Sequence, residues 1–225
     1  MLTILRGIFD WIEVWALLIP LTVFLIYKPK SSWITPLLWY LVIGLALNLC
    51  IDFIWYVNKE EWFGVSMAKK NTWNNNIYYQ LHSIARLLLF SWFFATQGKG
   101  FRRISRVIPS IFLIAALVFL TVLRKVSFNY LMALEAGLLL IYCLWFTYKI
   151  IRDDVLSFSS THPPLWVVGG LTLFTAVNFF IYLFYNYLIQ HSRNYAVSIW
   201  DIHNILFLIL CVCISISFYN EPNRK

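Results

Sequence analysis

Seven apolar segments, each about as long as a bilayer is thick, take up most of the chain. A transmembrane helix needs about 20 consecutive, mostly apolar residues. Because short polar connections separate the segments, we predict an all-α polytopic membrane protein with seven transmembrane helices. The predicted spans are residues 8–27, 33–57, 77–97, 106–123, 128–149, 164–188 and 198–219.

The composition limits what else the chain can contain. Only 12% of its 225 residues are charged, whereas soluble domains contain about a quarter. The connections leave no room for a separate soluble domain, so residues 1–225 are predicted to form a single transmembrane domain. The net charge of +8 comes from Lys and Arg residues beside the spans. We therefore expect contacts with membrane lipids and none with nucleic acid.

The distribution of positive charge predicts the orientation. Seven spans place the termini on opposite sides, and the side of the N-terminus receives seven Lys and Arg residues against ten on the other. Cytoplasmic loops carry the excess of Lys and Arg, so the N-terminus is predicted outside and the C-terminus in the cytoplasm. Residues 98–106, in the third loop, contribute most to this excess and are predicted to contact a cytoplasmic protein partner.

Polar side chains inside the predicted spans all fall in the outer half of the membrane. Such residues are costly at this depth and usually face a bundle interior or a ligand. On the third span, one helix face carries Tyr79, His82, Ser83 and Arg86, which are spaced i, i+3, i+4, i+7. The candidate ligand-binding residues are Glu13, Asn48, Asp52, Tyr79, His82, Arg86, Glu135, Asn178, Asp201, His203 and Asn204.

Helical spacing further divides these candidates. Asn48 and Asp52, four residues apart, form one stripe. Asp201 and His203 lie about 200° apart around their helix, so they cannot both point at one centre. A buried Arg86 needs an acidic partner. The acids considered for that role are Asp10, Glu13, Asp52 and Asp201.

An internal repeat would relate the first three helices to the last three in a parallel 3+1+3 arrangement. Polar matches in the same order support it: Glu13 with Glu135, Asn48 with Asn178, and His82 with His203. The repeats would be residues 8–97 and 128–219. The linker helix 106–123 has no ionisable residue after its first position and is predicted to face lipid. A chance alignment of two histidines is the alternative.

The polar cluster admits three interpretations. It could be a structural network of charge pairs, a pocket for an organic ligand, or a metal or ion site. Two histidines with nearby carboxylates could ligate zinc, although no HxxxH or HExxH spacing is present. The sequence therefore predicts no cofactor, with zinc as the alternative.

Three segments carry a resemblance to known proteins: residues 77–94, FFIYLFY at 179–185 and IWDIHNI at 199–205. Together they resemble a family of small seven-helix bacterial membrane proteins without assigned function. More loosely, they resemble the membrane modules of some bacterial histidine kinases. The resemblance implies a seven-helix fold in the bacterial inner membrane and identifies no active site.

Three functional hypotheses follow. The first is a non-enzymatic, receptor-like or accessory protein with an outward-opening polar pocket. In it, His82 and Arg86 would anchor an anionic or polar group, and Glu13, Asp52 and Asp201 would balance the charge. The second is a small 3+1+3 transporter for a small molecule or ion. The third is a metal-dependent intramembrane hydrolase.

Overall fold

The computed structural model describes residues 11–59, 76–121, 129–152, 162–191 and 193–221. All regular secondary structure within these residues is helical, and the seven helices follow the order of the seven predicted segments. They are α1 (Ile12–Tyr27), α2 (Ile34–Lys59), α3 (Asn76–Thr96), α4 (Lys99–Thr121), α5 (Asn129–Arg152), α6 (Pro163–His191) and α7 (Arg193–Tyr219).

Four of the described helices contain a stretch long and apolar enough to cross a membrane: Ile34–Phe53, Asn129–Arg152, Pro163–His191 and Ser198–Tyr219. Large apolar side chains are exposed on every helix, such as Leu25 on α1, Trp92 on α3 and Ile114 on α4. Soluble monomers rarely expose apolar surface on this scale. The apolar helices indicate an integral membrane protein, and a full set of seven spans stays a prediction.

Local sequence explains several helix ends. Lys28 takes a left-handed conformation with φ of 47°, and its N–H bonds to the Phe24 carbonyl at the end of α1. Pro29 follows and cannot extend the helix. Pro163 and Pro164 begin α6, where the N–H that proline lacks would have no partner within the helix.

The start of α4 differs from the prediction. The helix begins at Lys99 instead of residue 106, so most of the predicted basic loop is its first two turns. Gly98, with φ of 146°, makes the turn after α3 because it lacks the Cβ that disfavours this conformation. Lys and Arg are good helix formers, so the basic run continues the helix. Arg102, Arg103 and Arg106 are exposed along it.

Six of the helices form a closed ring. In order around the ring they are α1, α2, α3, α5, α6 and α7, and α7 packs against α1. The fourth helix lies outside, mainly against α3, which agrees with its predicted lipid-facing position. A parallel 3+1+3 repeat would produce the same order, but the repeat itself stays a prediction.

The two ends of the bundle differ in chemistry. One end is packed with aromatic side chains, among them Phe94 and Tyr142, whose rings stack at 5.0 Å and 5°. At that end α6 and α7 pack closely. A Cβ added to Gly170 would lie only 2.7 Å from the Cβ of Cys213. The polar side chains gather at the other end, where α1, α3, α5 and α7 begin and α2 and α6 finish.

Candidate functional site

A buried ion pair joins α3 to α5. Arg86 donates to Glu135 through both Nε and Nη2, the second contact measuring 2.8 Å to Oε2. Ser83, one turn earlier on the same face of α3, donates from Oγ to the same oxygen at 2.6 Å. Both members of the pair are buried, so the charges neutralise each other within the bundle.

The acidic partner of Arg86 differs from the expectation. None of the acids considered for that role forms this pair; the partner is Glu135, and Asp10 lies outside the described residues. The cause is the helix order, because the ring places α5 directly beside α3. Arg86 therefore has a bidentate carboxylate partner inside the bundle.

On α7, the orientation of the His203 ring is fixed by α6. Asn178 donates from Nδ2 to the Phe174 carbonyl at 2.7 Å, which leaves its Oδ1 to face His203 Nδ1 at 2.5 Å. An amide oxygen only accepts hydrogen bonds, so Nδ1 of His203 carries a proton. The hydroxyl oxygen of Tyr182 lies 3.2 Å from the same nitrogen, and Trp200 stacks on the ring at 4.6 Å.

The other ring nitrogen of His203 faces α1. Its Nε2 lies 3.4 Å from Oε1 of Glu13, whose side chain is 23% exposed. Because Nδ1 already holds a proton, the neutral imidazole would present a lone pair to the carboxylate.

A small polar cavity lies beside this pair. It measures about 70 Å³, which is room for an ion or a few water molecules. Pockets for drug-sized organic ligands measure about 300–1,000 Å³. The cavity is lined by residues of four helices: Glu13, Asn48, Ile51, Asp52, Tyr79, Trp200 and Asn204.

Asn48 leaves a buried acceptor at this cavity. Its Nδ2 donates to the backbone carbonyl of Glu13 at 3.1 Å, which fixes the amide orientation. Its Oδ1 is buried and has no hydrogen-bond partner among the described residues. An unmatched buried acceptor costs about 1–3 kcal/mol. The cavity is therefore suited to an occupant that donates a hydrogen bond or carries positive charge.

Two aromatic residues of α6 connect the ion pair to the histidine. The ring of Phe174 lies 5.2 Å from the Arg86 guanidinium carbon and 5.5 Å from the His203 ring. Tyr182 is buried between the same two groups. The ion pair and the Glu13–His203 pair are thus neighbouring parts of one polar cluster.

The remaining candidates take different positions. His82 is buried, and its Nε2 has no hydrogen-bond partner within the described part of the chain. That nitrogen lies 3.6 Å from where a Cβ on Gly44 would stand, and His82 does not line the cavity. Asp201 is exposed while His203 is buried, which confirms that the two point in different directions.

Sequence reasoning missed several members of the cluster. Ser83 was recognised on the same face as Arg86 but was not selected as a site residue. Tyr40, buried on α2, precedes Asn48 by eight residues, so the spacing of the Asn48–Asp52 stripe extends to it. Ile51 is also part of the cavity wall, and in a chain this rich in apolar residues no spacing distinguishes it.

Within the described helices, no group of three or more His, Cys, Asp or Glu side chains is arranged to hold a metal ion. Zinc binding stays an alternative that the sequence alone suggests. Comparisons of the chain with protein-family models, with curated proteins and with solved structures found no match. The geometry of the polar cluster is the basis for a functional proposal.

Proposed function

We propose that this protein is a non-enzymatic, receptor-like or accessory membrane protein that binds a small inorganic cation in the cavity beside Glu13. The observation that carries the proposal is the chemistry of the cavity wall. Glu13 and Asp52 contribute carboxylates, and Asn48 contributes a buried oxygen that has no donor among the described residues. Hard cations prefer oxygen ligands of these kinds.

The size of the cavity supports an ion over an organic ligand. A volume of about 70 Å³ excludes drug-sized molecules. The aromatic rings of Tyr79 and Trp200 complete the lining; a cation over their faces would be attracted by the ring quadrupole. An anionic ligand would instead meet two carboxylates.

The Arg86–Glu135 ion pair shows how the other carboxylate of the cluster is neutralised. Under the proposed repeat, Glu135 corresponds to Glu13 and Asn178 to Asn48. The carboxylate of Glu135 is occupied by a cation built into the chain, the guanidinium of Arg86. The position next to Glu13 holds a cavity instead. This contrast supports a cation supplied from outside the chain.

The proposal extends to the setting in the membrane. All seven helices would span a bacterial inner membrane, with the N-terminus outside and the C-terminus in the cytoplasm, so that the cavity lies in the outer half. The exposed arginines at the start of α4 would then face the cytoplasm, where they could contact anionic lipids or a protein partner.

The test is the effect of cations on the stability of the purified full-length protein in detergent. Unfolding midpoints would be compared in NaCl, KCl and MgCl₂ and in N-methyl-D-glucamine chloride of equal ionic strength. A ligand at 100 times its Kd stabilises by about 2.7 kcal/mol, so at least one small cation should raise the midpoint. Equal unfolding midpoints in all four salts would contradict the proposal and would indicate that the cavity holds only water.

Transport is a second candidate, favoured by the position of the cavity among helices of a closed ring. It predicts Na⁺, K⁺ or Mg²⁺ flux into proteoliposomes that Glu13→Gln abolishes. Vesicles that stay impermeable while the protein still binds the ion would exclude transport and leave the binding function.

A further inference from the structure

The basic residues at the start of α4 lie on one face of the helix. Their spacing is i, i+3, i+4, i+7, which places them within about 100° of arc around the helix axis. All of them are exposed, and none forms an ion pair with a carboxylate of the described residues. This basic face consists of Lys99, Arg102, Arg103 and Arg106.

The end of α5 lies beside the basic face. Lys149 and Arg152 are in the last turn of α5, and the Lys149 amine lies 5.2 Å from the centre of the Phe101 ring on α4. A Cβ on Gly100 would lie 3.1 Å from the same amine, so a side chain there would crowd it. Phe101 is buried and packs against Phe146 of α5. The two helix ends are therefore packed together, and α5 adds positive charge to this end of the bundle.

The acidic residues that follow α5 in the sequence are too few to cancel this charge. Asp153 and Asp154 come directly after Arg152 and lie outside the described residues. The basic residues of the two helix ends exceed these two acids by four. An anionic partner is therefore favoured at this end of the bundle.

The same face of α4 becomes apolar further along the helix. Leu113 and Leu117 continue the spacing of the basic residues, Ile114 lies beside them, and all three are exposed. In a phospholipid, a charged headgroup is likewise followed by an apolar acyl chain. A free phosphate or a soluble acidic protein would match only the basic part of the face.

Aromatic residues on the outer side of α5 support the same interpretation. Trp145 and Tyr148 are exposed, with ring centres 6.3 Å apart, and the Arg152 guanidinium carbon lies 5.8 Å from the centre of the Tyr148 ring. Trp and Tyr are enriched where lipid headgroups meet the acyl chains. Their position indicates that the basic residues beside them lie at the level of the headgroups.

We propose that the basic face of α4, together with the end of α5, binds the headgroup of an anionic phospholipid, whose acyl chain lies along the apolar face of α4. This site is at the end of the bundle opposite the cation cavity and does not depend on it. Guanidinium groups donate paired hydrogen bonds to phosphate oxygens. A zwitterionic phospholipid carries the same phosphate without a net charge, so it should bind more weakly.

The experiment measures lipid binding to the purified full-length protein in detergent by native mass spectrometry. The probes are dioleoyl phosphatidylglycerol, dioleoyl phosphatidylcholine, glycerol phosphate and polyglutamate. We expect phosphatidylglycerol to bind about tenfold or more tightly than phosphatidylcholine, because each Lys or Arg near an anionic headgroup contributes about fivefold in affinity.

A pair of matched variants locates the site. Arg102→Gln with Arg106→Gln should weaken phosphatidylglycerol binding by about 10- to 30-fold. Lys28→Gln with Lys30→Gln is the control, because these residues are also exposed at the same end of the bundle. The control variant should bind phosphatidylglycerol as the wild type does.

Four outcomes would overturn the proposal. Equal affinity of the wild type for the two lipids would remove the preference for an anionic headgroup. Undiminished binding by the arginine variant, or an equal loss in both variants, would show that the basic face is not the site. Glycerol phosphate that binds as tightly as the lipid would assign the face to a soluble anion. Polyglutamate that binds in preference to the lipid would assign it to an acidic protein.

A second measurement does not depend on any variant. Salt screens exposed charges, so raising NaCl from about 0.05 M to about 0.5 M should weaken the binding of phosphatidylglycerol and leave that of phosphatidylcholine unchanged. An affinity for phosphatidylglycerol that stays constant over this range would contradict headgroup binding by the basic face.

Discussion

Glu135 and Glu13, two carboxylates of the same polar cluster, have opposite surroundings. Glu135 is buried completely and accepts hydrogen bonds from Arg86 and Ser83. Glu13 is partly exposed, faces His203 and borders a cavity. Both need a positive charge in a poorly solvated place. Arg86 supplies that charge for Glu135, whereas under the proposed function a bound cation supplies it for Glu13.

The contrast indicates which of the two carboxylates has a structural role. A charge balanced by an arginine of the chain is fixed for as long as the protein is folded, and its removal should damage the fold. A carboxylate that borders a cavity can interact with an ion that enters the cavity. We therefore expect substitutions at Glu135 to change stability, and substitutions at Glu13 to change binding.

The largest effect is expected from Glu135→Gln. It leaves the buried guanidinium of Arg86 without a counter-charge, which costs about 3–5 kcal/mol when one partner of a buried pair is lost. The unfolding midpoint in detergent should fall steeply, or the protein should fail to accumulate.

The double variant Arg86→Met with Glu135→Leu is the matched control. Because it removes both charges and keeps similar volumes, it should recover most of the stability. If Glu135→Gln unfolded like the wild type, the ion pair would not be structural and the comparison between the two carboxylates would fail.

A smaller and different effect is expected from Glu13→Gln. The carboxamide keeps the size of the side chain and removes the charge that a cation would contact. Hydrogen bonds and contacts to charged groups contribute about 1.5–3 kcal/mol, so cation affinity should fall about 10- to 100-fold. Titration of the cation against the unfolding midpoint measures the change, and wild-type affinity in this variant would place the ion elsewhere.

Asn178→Leu tests how the histidine is held beside Glu13. It removes the Asn178 oxygen that accepts from His203 Nδ1 and leaves only the longer contact to the Tyr182 hydroxyl among the described residues, so we expect a cost of up to about 1–3 kcal/mol. Thr172→Val is the control on the same helix, because the Thr172 hydroxyl donates to the Val168 carbonyl one turn earlier. Equal unfolding midpoints for the two variants would show that the bond to His203 does not orient the ring.

The smallest effects compare two aspartates at the polar end of the bundle. Asp52 lines the cavity, and Asp201 is exposed. A partly solvated charge contributes about 0.2–1 kcal/mol, so Asp52→Asn should weaken cation binding by up to about fivefold, and Asp201→Asn should not change it. The same titration distinguishes them, and a larger loss from Asp201→Asn would argue against the cavity.

Much of the fold could be predicted from the sequence, because bilayer thickness sets the length of apolar segments. The seven described helices follow the predicted order, and the fourth packs outside the ring, as its apolar sequence indicated. The predicted start of α4 was wrong because basic residues usually mark loops between spans, although Lys and Arg also favour helix formation. Whether every helix crosses the membrane depends on the membrane itself.

Helix periodicity also predicted part of the geometry around the candidate site. It predicted that Asn48 and Asp52 share one helix face and that His203 and Asp201 point in different directions, and the structure agrees. It could not pair Arg86 with Glu135, because the pairing depends on which helices are neighbours in the ring. The cavity was likewise beyond the sequence, because its volume depends on how side chains of four helices meet.

One measurement tests the difference between the two carboxylates most directly: the rise in unfolding midpoint on replacing N-methyl-D-glucamine with a small cation, in three proteins side by side. These are the wild type, Glu13→Gln, and the double variant Arg86→Met with Glu135→Leu. We predict that the wild type and the double variant are stabilised by the cation and that Glu13→Gln is stabilised much less. If Glu13→Gln kept the full response, or the double variant lost it, the assignment of the cation to the Glu13 cavity would be contradicted.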